Sequence, residues 1–231
     1  MTDGQTVTIS CLFLDQSALK IPQSWWNCLG RAEQERADRL RVAAERRHFI
    51  AAHALLRHRL GQMTDTAPDR VRINALPGAK PELVEKTDLS FSLSHTKGLV
   101  AVAVSRAGAV GIDAEAKDLA ASPLQIAGAC FAPAEIRALQ QTPEPQRLTQ
   151  FFQIWTLKEA YLKACGCGLS RDLASFTISL NPPELAEGDE PASWQFFQQQ
   201  WDDSHYLAIA LKRPRQTPAK FSLEQLNENW L

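Results

Sequence analysis

Apolar and polar positions alternate with period two across Leu89-Ser-Phe-Ser-Leu-Ser-His95, and an apolar run fills Leu99–Ser105. Thr96-Lys97-Gly98 between them is turn chemistry, so the two runs predict a β-hairpin. Val7–Leu14 predicts an earlier strand and Ala109–Glu115 a later one. Further strands are expected over 175–180, 193–197 and 206–212. The Pro, Gly and acid content of 181–191 reads as a loop. From about Glu33 to Leu60 the period lengthens to that of a helix. Phe49, His53, Leu56 and Leu60 form its inward stripe, and Gly61 stands where such a helix would stop. Helices are also expected across 123–129, 133–141 and 147–165, the last ended by Gly166. Strands and helices thus mix along the chain, without an evident repeat.

The two periods also place charge. Residues two apart in a strand share a face, so Asp113 and Glu115 point together, away from Val110, Ile112 and Ala114. Gly111 beside them leaves room for a ligand or a neighbouring backbone. Alone, the pair also fits an exposed strand end. Phe151, Trp155, Glu159 and Lys163 are each four apart and line one helical stripe. A surface Glu–Lys pair is the plain alternative. Two aromatics on the stripe argue instead for an inward carboxylate, which a metal or another cation must compensate. Lys158 lies about 100° around the helix and faces elsewhere. Three acids with cations nearby suit a hard divalent ion holding a phosphate ester.

Composition narrows the class. The chain has 231 residues, 45% of them hydrophobic, enough for a full core. Its 25 Lys and Arg balance 26 Asp and Glu, so no strongly basic character calls for nucleic acid or an anionic membrane. The arginine-rich helix also carries Glu33, Glu35, Asp38 and Glu45, which weighs against a nucleic-acid module. No run approaches the ~20 apolar residues of a membrane span, and the first residues have no basic start, so no signal peptide is expected. Five cysteines without such a signal favour reduced thiols in the cytoplasm. Cys165-Gly-Cys167 lacks a second ligand pair at zinc spacing.

Gly111-Ile-Asp-Ala-Glu115, followed by Trp155-Thr-Leu-Lys-Glu-Ala-Tyr-Leu-Lys163 and Gly166-Cys-Gly-Leu169, resembles the long-chain, Sfp-type family of 4'-phosphopantetheinyl transferases. Gly78-Ala-Lys-Pro81 is similar to that family's G-x-K-P. Phe91–Thr96 is similar to its F-N-x-S-H-[ST], and Phe131–Glu135 to its F-[ST]-x-x-E. The motifs run in the family's order across about 31–180. Ala114 stands where a larger aliphatic is usual, and Ser92 where Asn is common.

The resemblance implies an α+β fold of two similar halves related by a pseudo-twofold, with the active site between them. The junction is expected near Ser105–Gly108, giving halves 1–105 and 106–231. Because a shorter relative trimerises to build the same site, a chain of this length implies a monomer. The implied reaction moves the phosphopantetheine arm of coenzyme A to a serine of an apo acyl or peptidyl carrier protein, releasing 3',5'-ADP. Magnesium, or manganese, would be held by Asp113, Glu115 and Glu159. Glu159, directly or through water, would take the serine proton. Lys163 would stabilise the leaving phosphate, with Asp113 completing the catalytic set. Arg47, Lys80, Ser94, His95, Lys158 and Lys163 are the implied coenzyme contacts, with Arg46 or Arg57 as alternatives to Arg47. A magnesium-dependent phosphohydrolase acting on coenzyme A would use the same acids.

Overall fold

The computed structural model describes residues 5–76, 78–119, 121–168, 171–201 and 204–230; Leu169 of the glycine loop and residues 1–4 lie outside them. The fold is a mixed α+β one. The first strand, β1 (Thr6–Phe13), is followed by helices α1 (Gln23–Cys28), α2 (Arg31–Arg39) and α3 (Ala43–Thr64). Two short strands, β2 (Ile73–Asn74) and β3 (Glu82–Leu83), precede the hairpin β4 (Ser90–Thr96) and β5 (Leu99–Ser105). After β6 (Val110–Ala116) come α4 (Pro123–Cys130), α5 (Pro133–Gln141) and α6 (Glu144–Cys165). The chain closes with β7 (Thr177–Leu180), β8 (Pro183–Glu187), β9 (Trp194–Trp201), β10 (His205–Lys212) and β11 (Lys220–Leu226).

Two sheets, ordered β11-β1-β5-β4 and β6-β10-β9, carry the architecture. Apolar side chains alternate inward along both. Val7, Ile9, Leu99, Ala101 and Ala103 of the first sheet meet Val110, Ile112, Leu207 and Ile209 of the second in one buried cluster. The first sheet's other face packs on α1 and α3 through Val100, Val102, Trp25 and Leu55. Ala208 and Ala210 on the second sheet's far face pack on Leu157, Ala160 and Tyr161 of α6. No helix among the described residues is long and apolar enough to cross a membrane.

Where the sheet edges meet, β4 supplies hydroxyls in place of a backbone ladder. Ser90 Oγ accepts from Val110 N at 3.0 Å, Ser92 Oγ from Ile112 N at 3.1 Å, and Thr96 Oγ1 from Ala116 N at 3.0 Å. The period-two polar stripe of β4 therefore covers an otherwise unpaired edge of β6.

Several expectations change. The helix expected over 33–60 is two helices, broken at Leu40–Val42. Arg46 folds back to donate to Ala37 O and Asp38, satisfying the end of α2. Gly61 does not end α3, which runs on to Thr64 and closes with Asp65 in the left-handed region. Gly61 serves a close approach instead, since a Cβ there would lie 2.4 Å from Thr66 O. Within the expected loop 181–191, β8 pairs with β7; a two-stranded hairpin tolerates Pro183 at its first position. The last strand returns to pair in parallel with β1, so residues 220–226 join the sheet of β1, β5 and β4.

Candidate active site

The site forms where β6 crosses α6. At Gly111 strand and helix touch backbone to backbone: a Cβ there would lie 2.0 Å from Ala160 O and 2.4 Å from Ala164 N. Only glycine permits that approach. It sets the odd-numbered face of β6 against the helix, so Asp113 and Glu115 meet the stripe of Trp155, Glu159 and Lys163. Lys163 Nζ donates to Asp113 Oδ1 at 2.7 Å and to Ser94 Oγ at 3.0 Å. Ser94 Oγ donates to the same Oδ1 at 3.0 Å. Ser94 is thus the one β4 hydroxyl that turns to a side chain while its neighbours bond the β6 backbone. Asp113 Oδ2 is buried and has no partner.

Electrostatics follow from this crowding. Glu115 is pushed up to about 7, first by burial and then by Asp113, against the opposing pull of the Trp155 indole and Lys163. Burial and Asp113 also raise Glu159, which Lys163 draws down. Three carboxylates in one half-buried place therefore share the ammonium of Lys163. The donor set, all carboxylate oxygen with one buried atom orphaned, is chemistry that fits a hard divalent cation. Among the described residues no three Asp, Glu, His or Cys side chains already converge closely enough to close on one.

A second polar group, two imidazoles with Arg36 nearby, gathers at the hairpin. His95 is pushed down to about 4 by burial, then by His48, Lys163, His53 and Arg36. His48 lies 6.3 Å from His95, ring centre to ring centre. Its Nε2 accepts from Gly98 N at 3.1 Å and its Nδ1 contacts Ala44 O at 2.7 Å. Accepting at Nε2 while donating at Nδ1 makes it a neutral imidazole that fastens the turn. Arg36 and His48 sit in the arginine-rich helical stretch, where nothing in the sequence marks them as neighbours of His95.

The other expected coenzyme contacts have different surroundings. Lys80 Nζ donates to Val110 O at 2.6 Å, and Ala164 O lies at 3.5 Å. It ties the start of β6 to the end of α6, and burial lowers it to about 8. Arg47 is buried and donates to Asp15 O, Lys20 O and the Glu228 carboxylate. Arg57 is likewise consumed by Glu33 and the carbonyls of Pro68 and Val71. Lys158, also an expected coenzyme contact, is differently placed. It is wholly buried and donates to Glu135 Oε1 at 2.7 Å and Phe176 O at 2.6 Å. Its ammonium is spent on joining α6 to α5 and to Phe176 just before β7.

Comparison with known proteins agrees with the geometry. The family described as the 4'-phosphopantetheinyl transferase superfamily matches residues 109–210, which hold all three acids. The 4'-phosphopantetheinyl transferase HetI of Nostoc sp. is 33% identical over 186 residues, covering 79% of this chain and 78% of the relative. The 4'-phosphopantetheinyl transferase psf-1 of Bacillus pumilus is 28% identical over 183 residues, covering 77% and 76%. The L-aminoadipate-semialdehyde dehydrogenase-phosphopantetheinyl transferase of Homo sapiens is 23% identical over 205 residues, covering 79% and 66%.

Proposed function

This chain belongs to the 4'-phosphopantetheinyl transferase superfamily, and on that premise we propose that it transfers phosphopantetheine from coenzyme A to a serine of an apo acyl or peptidyl carrier protein. The observation that carries the reading is the meeting of Asp113, Glu115 and Glu159 around one half-exposed lysine. The serine Oγ bonds to the phosphorus that bears pantetheine. The bridging P–O bond breaks, and 3',5'-ADP leaves. Glu159 receives the serine proton, directly or through water, and its raised proton affinity makes it a better base than an ordinary carboxylate. Lys163, with Ser94 and His95 beside it, holds the pyrophosphate and meets charge developing on the leaving group. A magnesium or manganese ion held by Asp113, Glu115 and Glu159 would neutralise the pyrophosphate and polarise the phosphorus under attack.

Lys80 and Arg47 support this site by ordering β6, α6 and the first-half loops. Strands β4 and β6 and helix α6 of one chain supply the acids, Ser94 and Lys163, which supports action as a monomer. Intact-mass measurement of apo carrier proteins, after incubation with the protein, coenzyme A and magnesium, tests the reading. A gain of about 340 Da, the mass of the transferred group on a serine oxygen, is expected. Phosphate release from coenzyme A without any gain on fatty-acid, polyketide or peptide-synthetase carriers would mark a phosphohydrolase instead.

A further inference from the structure

Asp113 and Lys163 differ in exposure. The carboxylate side chain is 6% exposed, whereas that of Lys163 is 32% exposed. The acid is fixed and the ammonium, on a flexible four-carbon stem, is free to leave. Ser94 closes a three-membered ring with them, giving its proton to Asp113 and accepting one from Lys163. The lysine thus occupies Oδ1 of the acid whose Oδ2 has no partner.

We infer that Lys163 is a resident counter-ion of the acid cluster, which a divalent cation and the coenzyme's pyrophosphate displace together, so that the two ligands bind cooperatively. This rests on the function proposed above. A dication at Asp113 and an ammonium on the same carboxylate repel each other, so the ion alone binds against a cost. The pyrophosphate offers the ammonium a new anionic partner, which frees Asp113 and removes that cost. Linkage makes the effect reciprocal: whatever factor the coenzyme adds to metal affinity, the metal adds to coenzyme affinity.

Manganese alone serves as the probe, with free ion counted by its electron paramagnetic resonance signal, with and without coenzyme A. For the wild-type chain, the coenzyme is expected to tighten manganese binding by about 10–100-fold. Lys163→Met is expected to bind manganese alone about tenfold more tightly than wild type, with the coupling reduced by about the same factor. Lys163→Arg, which keeps the charge, is expected to keep the coupling. Ser94→Ala, which removes one anchor of the ammonium but no charge, should give an intermediate shift; it carries the test if Lys163→Met does not fold. Equal or weaker manganese binding by the folded Lys163→Met chain overturns the inference. So does wild-type manganese affinity that is indifferent to a coenzyme that binds. If no variant binds coenzyme A, the functional reading fails, while the metal-alone comparison still decides the counter-ion claim.

Discussion

Helix α6 carries two lysine–carboxylate pairs, five residues apart, and they are built to opposite rules. Lys158 and Glu135 have 0% and 1% of their side chains exposed. Both oxygens of Glu135 are used: Oε1 accepts from Lys158 and Ile178 N, and Oε2 from Ala132 N, capping α5. The rings of Phe176 and Phe131 flank the ammonium at 4.1 and 5.9 Å. Lys163 and Asp113 are joined at the same 2.7 Å, yet the lysine is wet, one carboxylate oxygen is orphaned, and two more acids crowd in. A satisfied pair holds elements together. An under-satisfied pair with surplus negative charge retains capacity for a ligand.

That contrast breaks most sharply by mutation. Lys158→Met leaves Glu135 charged and buried, which costs about 3–5 kcal/mol of folding stability. Urea unfolding is expected to show it, and adding Glu135→Gln should recover part of the loss. Asp113→Ala should do the reverse. Transfer falls by about a hundredfold or more, while the melting temperature in excess EDTA stays level or rises, because like charge has been removed. A Lys158→Met chain that keeps its stability, or an Asp113→Ala chain that keeps its turnover, ends the distinction.

Glu159→Gln comes next. It keeps shape and removes the proton acceptor, so single-turnover transfer should drop by about a hundredfold, while titration calorimetry still finds coenzyme A bound. Wild-type transfer at saturating metal would move the base to another group.

Most of this site was legible, and for a physical reason. Period two fixed the face shared by Asp113 and Glu115, and the four-residue stripe fixed that of Glu159 and Lys163; both are local properties of one element. The hairpin and β6 followed from the same signal. What stayed hidden depends on distant partners. The break at Leu40–Val42 contains neither Gly nor Pro and relies on Arg46 reaching back to Ala37. The polar character of β11 gave no hint that it pairs with β1, two hundred residues away in the chain. The angle of Lys158 was read correctly, but its destination required Glu135, on another helix.

Acidity gives a smaller effect on the same contrast. Glu115, with an ordinary value of 4.5, is held near 7 in the fold. The folded chain therefore binds that proton more tightly than the unfolded one. This contribution to stability is complete below the ordinary value and is lost as pH rises through about 7. In EDTA, the urea midpoint should fall between pH 5 and pH 8 by the equivalent of about 1–2 kcal/mol, after allowance for solvent screening. Glu159, raised in the same direction, adds to the slope. Glu115→Gln should flatten it, and so should magnesium if the acids hold it. A slope unchanged by both would separate Glu115 from the cluster.

The smallest test lies on one face of β4. Ser92 and Ser94 are two residues apart and point the same way, so they share strand and side; only their partners differ. Ser92 Oγ accepts from Ile112 N, a backbone group with nowhere else to turn. Ser94 Oγ bonds Asp113 and Lys163, which already bond each other. Ser92→Ala should therefore cost about 1 kcal/mol of stability, the usual worth of a lost hydrogen bond to a buried donor, and leave kcat unaltered. Ser94→Ala should cost less than that, because its partners keep one another, but should raise the KM for coenzyme A by a few-fold as the pyrophosphate loses the Ser94 hydroxyl. Urea titration and steady-state kinetics on the two variants suffice. If Ser92→Ala shifts KM and Ser94→Ala shifts only stability, the division between holding groups and binding groups does not extend from α6 to the strand that faces it.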